Sequence, residues 1–330
     1  MSQGKTVVVL GGSLGGMSVT HRLLKYTRRH EKDLKVILVT KNSHFYWNLA
    51  SVRAVLPGAV RDEELLQPIE PGLAQYPSDS YEFVLGAATA LDPAAKTVQV
   101  ATETDKRTIS YDYLVLATGA NSVDPEMPWK ASGTYEELLE SLHDTLVGGD
   151  STAGAVEKEL LHLGVTVRKG VKATDISKTE YGKTRLVLSD GETLITDLYL
   201  PTTGQKPNTD YLPAEFLTSR RYVNVDDFLQ VRGTKDIWAV GDIVSKPRAG
   251  FLITESQAAG VVTNIEHILQ GKDQVVPKGP LVDAFLFAMG RSRGCGRVGP
   301  ICAPSLFVWF IKGRTLGMQR TKKYADGSFW

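Results

Sequence analysis

The first forty residues constrain this chain more than any other stretch. Val7-Val8-Val9-Leu10 is a short, wholly apolar run of β-branched character, followed by Gly11-Gly12-Ser13-Leu14-Gly15-Gly16. Apolar residues at helical spacing then run from Met17 to Tyr26, and Val36-Ile37-Leu38-Val39 is a second buried run. Strand, glycine-rich turn, helix and strand in so short a span is a βαβ unit, whose uninterrupted apolar strands imply a parallel sheet covered on both faces. Glycines at that turn allow the backbone to approach a pyrophosphate, which the positive end of the following helix attracts. Two departures from the usual pattern stand out. Ser13 replaces the middle glycine, and Thr40-Lys41 stands where an acidic residue for a ribose is expected.

Further along, Tyr81 to Val100 alternates and breaks at Asp92-Pro93, the pattern of antiparallel strands and turns. Tyr113-Leu114-Val115-Leu116-Ala117 is another buried strand, ending at Thr118-Gly119. A Pro-containing connection, Asp124 to Pro128, suggests a domain crossing. After it the spacing predicts helices at Tyr135 to His143 and at about Gly154 to Leu163, and strands at Val165 to Val167, Arg185 to Leu188 and Leu198 to Leu200, with a turn at Ser189-Asp190-Gly191. Ile237 to Val240 reads as a strand running into Gly241-Asp242, with a helix from about Thr254 to Leu269.

Composition narrows the function. Lys and Arg total 38 against 37 Asp and Glu, and so even a balance argues against a nucleic-acid binder or a polybasic membrane patch. The two cysteines, Cys295 and Cys302, can build neither a disulfide scaffold nor a four-cysteine zinc site, and two packed thiols are expected. The six histidines show no metal-ligand spacing, so no metal is expected. No apolar run approaches the roughly 20 residues of a membrane helix, and no signal-peptide pattern is present, so a soluble protein of the cytoplasm is expected.

The glycine-rich turn, the Ala117-Thr118-Gly119 strand end and the Thr234-Lys235-Asp236-Ile237-Trp238-Ala239-Val240-Gly241-Asp242 run together resemble the FAD-binding set of the pyridine-nucleotide-disulfide oxidoreductase superfamily. The segment Asn42 to Arg53, with Phe287-Ala288-Met289-Gly290-Arg291 and Gly294, Gly296 and Gly299, is similar to apoptosis-inducing-factor-like proteins of the AMID or ferroptosis-suppressor type, the fungal members above all. The similarity covers nearly the whole chain. It implies an α/β fold: a discontinuous Rossmann-type FAD-binding domain at 1–125 and 215–280, an inserted NAD(P)H-domain-like segment at 126–214, and a small C-terminal α/β cap at 281–330. The implied cofactor residues are Gly11, Gly12, Ser13, Gly15, Gly16, Trp47, Asn48, Arg53, Thr118, Gly119, Gly241 and Asp242. An alternative for the aromatic loop is that Phe45, Tyr46 and Trp47 only pack the cleft.

The insertion is short. Its second fingerprint reads Gly148-Gly149-Asp150-Ser151-Thr152-Ala153, with a carboxylate where a phosphate should lie. About 90 residues separate Asn121 from Asp210, whereas a complete nucleotide domain with its meander needs upwards of about 110. The expectation is a truncated domain with NAD(P)H binding impaired or lost, and the alternative is a shorter but working one. No cysteine precedes Cys295, which makes a dithiol relay improbable. Glu255, Gln257 and Tyr46 are the candidates for a catalytic role, Glu255 and Gln257 because the resemblance points their helix at the flavin. The leading expectation is an FAD-dependent oxidoreductase acting on a small phenolic or quinone-like molecule, with oxygen an available acceptor and a place in fungal secondary metabolism. The alternatives are an NAD(P)H:quinone-type reductase and a non-catalytic flavin-binding protein.

Overall fold

The computed structural model describes residues 4–54, 58–122, 159–200, 205–244 and 250–330. The expected helix at Tyr135 to His143, the second fingerprint at Gly148 to Ala153 and the Asp124–Pro128 crossing lie outside them.

Chain contacts group into two units. The first takes residues 1–144, 204–281 and 317–330, the second 145–203 and 282–316. Of the expected cap, only 282–316 falls in the second unit. The last fourteen residues belong to the first, where Tyr324 is wholly buried and stacks on Phe45 at 5.1 Å between ring centroids.

A five-stranded parallel sheet organises the first unit, in the spatial order Ile237–Ala239, Tyr113–Leu116, Thr6–Leu10, Lys35–Thr40, Tyr81–Leu85. The apolar β-branched runs form its interior strands because these are buried on both faces, and Val7, Val8, Val9 and Leu10 are fully enclosed. Tyr81–Leu85 pairs in parallel with Lys35–Thr40 and is an edge strand, a correction to the antiparallel reading of Tyr81 to Val100. Alternation in an edge strand reflects its half-covered position and carries no information on direction. From Ala87 onward the expectation holds. Ala87–Asp92, Thr97–Ala101 and Lys106–Ser110 form an antiparallel meander, with the break at Asp92-Pro93.

Helix Leu14–Lys25 follows the glycine turn, and helix Phe251–Leu269 packs against it. The latter starts one turn before the expected Thr254, because Gly250 stands at its N-terminus.

In the second unit, Ala173–Lys178, Thr184–Leu188 and Thr193–Thr196 form an antiparallel meander with Gly191 at a left-handed turn (φ +90°). Val165–Val167 and Leu198–Leu200 are not strands. Both are short apolar runs largely exposed to solvent, without the neighbouring strand that would order them. Residues 159–162 are helical, the described end of the helix expected from Gly154. Ala284–Met289 and Arg293–Val298 make a hairpin, followed by helical turns over Ser305–Val308 and Trp309–Gly313. Cys295 is buried, but Cys302 is exposed on the edge strand Ile301–Cys302, so only one of the two thiols is packed. No helix of the described residues is long and apolar enough to cross a membrane.

Candidate dinucleotide site

Every strand of the parallel sheet ends on the same side of the first unit. The residues after these ends are Gly11, Lys41, Gly86, Ala117 and Val240, and the first four line one crevice. Backbone bonds fix them, from Gly11 N to Val39 O (2.7 Å), Gly86 N to Thr40 O (2.8 Å), Ala117 N to Leu10 O (2.8 Å) and Val240 N to Leu116 O (3.0 Å). The carboxyl edge of a parallel sheet is where such folds bind ligands, at the point where successive connections leave on opposite sides. Here the chain passes from Thr6–Leu10 to Lys35–Thr40 on one flank and returns to Tyr113–Leu116 on the other.

A groove of about 970 Å³, counted to its open mouth, occupies that edge. Its walls include Gly11, Gly12, Ser13, Thr40, Lys41, Asn42, His44, Tyr46, Gly86, Ala117, Thr118, Asn208 and Tyr211. Gly11 has φ +114°, and a Cβ there would lie 2.3 Å from the Ala117 carbonyl oxygen, so only glycine permits the turn. Gly16 does a different task. A Cβ on it would meet the Gly11 carbonyl at 1.7 Å, so it lets the helix close on the turn, while Gly15 sits against Val240 and Thr254. Ser13 begins the helix without a side-chain cap, and no acidic residue lies in the first turn. The helix terminus therefore keeps its positive potential towards the groove.

Thr118 is held by chain from the far side of the sequence. Its Oγ1 donates to Asn208 O (2.9 Å), Asn208 Nδ2 donates to Thr118 O (2.8 Å), and the Tyr211 hydroxyl lies 3.3 Å from Thr118 Oγ1. Burial pushes the Tyr211 phenol up, so it stays neutral. Thr40 Oγ1 accepts from Asn42 N (3.3 Å), and Asn42 Oδ1 accepts from His44 N (2.9 Å), which shapes the loop where a carboxylate was expected.

The other sequence candidates divide. Tyr46 lines the groove, and burial pushes its phenol up against a smaller opposing effect of Ser51. Trp47 is fully buried among Phe45, Phe251 and Tyr324 and is not among the residues that line the groove. Asn48 keeps a buried Oδ1 without a hydrogen-bond partner. Arg53 lies half-buried on the helical turn Ser51–Ala54. Gly119 (φ +65°) and Gly241 (φ +80°) both take left-handed turns at strand ends. Asp242 has its carboxyl pushed up by burial and makes no hydrogen bond among the described residues. None of these last five lines the groove itself.

Glu255 and Gln257 are occupied. The Glu255 carboxylate accepts from Arg22 Nη2 (3.2 Å), Trp330 Nε1 (2.9 Å) and the Tyr324 hydroxyl, and its side chain is 13% exposed. It ties together helix Leu14–Lys25, helix Phe251–Leu269 and the terminal residues. Gln257 Oε1 accepts from Gly241 N (2.8 Å), which fixes the turn that carries Asp242. Sequence reasoning missed Lys41, Asn42, Asn208 and Tyr211 as groove residues, whereas the loop that starts at His44 was expected near the cofactor. The first two were within reach because they follow a strand end, but Asn208 and Tyr211 carried no local signal.

A parallel sheet with a glycine-rich turn at its switch point is the framework of a dinucleotide-binding fold. The family model "Pyridine nucleotide-disulphide oxidoreductase" matches residues 5–147 and 133–260, and the chain belongs to that family of oxidoreductases. Among its relatives is the oxidoreductase ptaL of Pestalotiopsis fici, 33% identical over 371 aligned positions, covering 98% of this chain and 99% of the relative. Human ferroptosis suppressor protein 1 is 24% identical over 370 positions, covering 94% and 93%. The sulfide:quinone oxidoreductase of Aquifex aeolicus shares the fold, with a TM-score of 0.75 at 18% identity over 98% of this chain and 92% of that one.

Proposed function

We propose that this chain is an FAD-dependent oxidoreductase that acts on a small phenolic or quinone-like molecule, with its nicotinamide domain cut back and NAD(P)H use impaired or lost. The observation that carries the cofactor is the pairing of an uncapped helix terminus and glycine turn with buried polar atoms that lack protein partners, Asn48 Oδ1 and the Tyr46 hydroxyl. Such atoms cost about 1–3 kcal/mol each when left unsatisfied, and a bound ligand with matching polar groups relieves them. Bound there, FAD would supply two-electron chemistry, with oxygen an available acceptor.

The residues present fit that group. Gly11 and Gly12 admit a pyrophosphate against the backbone, and the terminus at Leu14 offers N–H donors to it. Asp242, half-buried and without a hydrogen-bond partner among the described residues, would accept from a ribityl hydroxyl on the turn that Gln257 holds. The Tyr46 phenol stays protonated and serves as a donor.

Length supports the shortened domain. The alignment with ptaL runs over 371 positions and takes in 98% of the 330 residues here, and that with human ferroptosis suppressor protein 1 runs over 370 and takes in 94%, so about 48 and about 60 aligned positions have no counterpart in this chain. Among the described residues of 159–200, the only strands form the antiparallel meander. One observation favours a second reading, an NAD(P)H:quinone-type reductase: the family model matches again at 133–260, across the region of the insertion. The names of the relatives, among them a sulfide-quinone reductase of Aquifex aeolicus, are compatible with a quinone-like substrate in both.

Anaerobic titration of the flavin-loaded protein decides between them. Slow or absent bleaching by NADH and NADPH, with reduction by a phenol or hydroquinone, supports the first. Fast bleaching by either nucleotide overturns it in favour of the second.

A further inference from the structure

Five titratable side chains line the described groove, Lys41, His44, Tyr46, Asp210 and Tyr211. Burial keeps the two phenols protonated, His44 Nδ1 lies 2.9 Å from Ser43 Oγ, and the Asp210 carboxylate accepts from Lys206 Nζ (2.9 Å) and Arg221 Nη2 (2.8 Å). Lys41 differs from these. It is exposed, and no carboxylate or hydrogen-bond partner engages it among the described residues. Strand Lys35–Thr40 delivers it to the groove. Thr40 beside it leans on the glycine turn, since a Cβ on Gly12 would come within 2.8 Å of Thr40 Oγ1. No Asp or Glu occurs between Leu34 and Arg61, and the adjoining strand end brings only Gly86, Ala87 and Ala88 to the groove.

In a dinucleotide fold the end of this strand faces the adenosine ribose. A carboxylate there accepts from the sugar hydroxyls and repels a phosphate, whereas a neighbouring cation accommodates one. Here a short hydroxyl stands in place of the carboxylate, and the cation follows it directly. We infer that the groove takes an adenosine nucleotide whose ribose bears a second phosphate, held by Lys41, and that such a nucleotide and FAD exclude one another. The recognised group is a ribose phosphomonoester, which NADP(H) carries on its 2′-oxygen and coenzyme A on its 3′-oxygen. The Tyr46 hydroxyl independently marks the groove as a place for a polar ligand, because its residue is buried, lines the groove and leaves that oxygen without a hydrogen-bond partner. The inference rests on the reading above that this groove receives the adenosine end of a dinucleotide.

The test is calorimetric titration of the full chain, freed of flavin and then loaded with it, with 5′-AMP, adenosine 2′,5′-bisphosphate and adenosine 3′,5′-bisphosphate. At least one bisphosphate should bind the flavin-free chain roughly fivefold tighter than 5′-AMP, the size expected of one solvent-exposed ion pair, and the gain should shrink as salt rises. The tighter of the two names the source. K41Q should bring that probe to within about twofold of 5′-AMP, and K41E should place it below, while both variants, altered at an exposed position, keep the parent melting midpoint. Bound flavin should abolish the gain. Equal affinity for all three probes overturns the inference, and so does a gain that K41Q or bound flavin leaves intact. If FAD does not displace 5′-AMP, the dinucleotide reading of the groove falls and the inference with it. If FAD displaces 5′-AMP but the ribose phosphate adds nothing, only the inference falls.

Discussion

Replacing Asp242 by Ala should move two properties in opposite directions. Its carboxyl is half-buried, makes no hydrogen bond among the described residues, and has its pKa raised by desolvation. With the folded-state pKa above the unfolded one, the folded chain holds its proton more tightly. The penalty of ionising it is then absent below the unfolded value and present in full above the folded one. At neutral pH the flavin-free protein carries this cost, so Asp242→Ala should leave its urea midpoint unchanged or higher. The flavin-bound protein should respond in the opposite sense, because a ribityl hydroxyl loses its acceptor at a cost of about 1–3 kcal/mol, or roughly 5- to 150-fold in affinity. Fluorescence titration of the apoprotein with FAD measures the second quantity and denaturation of the same preparation the first. A variant that loses stability without flavin yet binds FAD as the parent does would refute the reasoning, since it would make Asp242 a structural residue.

Three further outcomes are expected. Glu255→Gln should destabilise the fold by about 1–3 kcal/mol, because Arg22 loses its charged partner, while flavin reduction by substrate stays within about twofold; a large loss of rate in a stable variant would return Glu255 to the chemistry. Thr40→Glu puts a carboxylate where a ribose hydroxyl is expected and should tighten FAD binding several-fold by titration calorimetry, and weaker binding would place the adenosine elsewhere. His21 is buried against Tyr76 and the Ala325 carbonyl, and desolvation lowers its pKa to about 4. Its contribution is complete above the unfolded value near 6.5 and is lost as pH falls towards 4, on the order of 3 kcal/mol, so His21→Gln should flatten acid denaturation in that window.

Much of the site follows from local order. Gly11, Gly119 and Gly241 were legible as turns because a backbone that turns sharply at a strand end favours glycine whatever surrounds it. Glu255 and Trp47 were not. The same residue types at the start of a helix or after a strand suit a cofactor or a core equally well. The choice was made by Tyr324 and Trp330, some seventy residues downstream of Glu255, which return to enclose both.

The sequence by itself determined the parallel sheet, its strand ends and the family, since these rest on short-range apolar runs and on glycines whose conformations are local. The tertiary structure decided the rest. It placed Tyr81–Leu85 in the parallel sheet, took 317–330 out of the expected cap, and turned the apolar side of Ser305–Gly313 outward. Hydrophobicity records that a side chain prefers burial, but which neighbour covers it, or whether any does, depends on contacts between segments far apart in the chain.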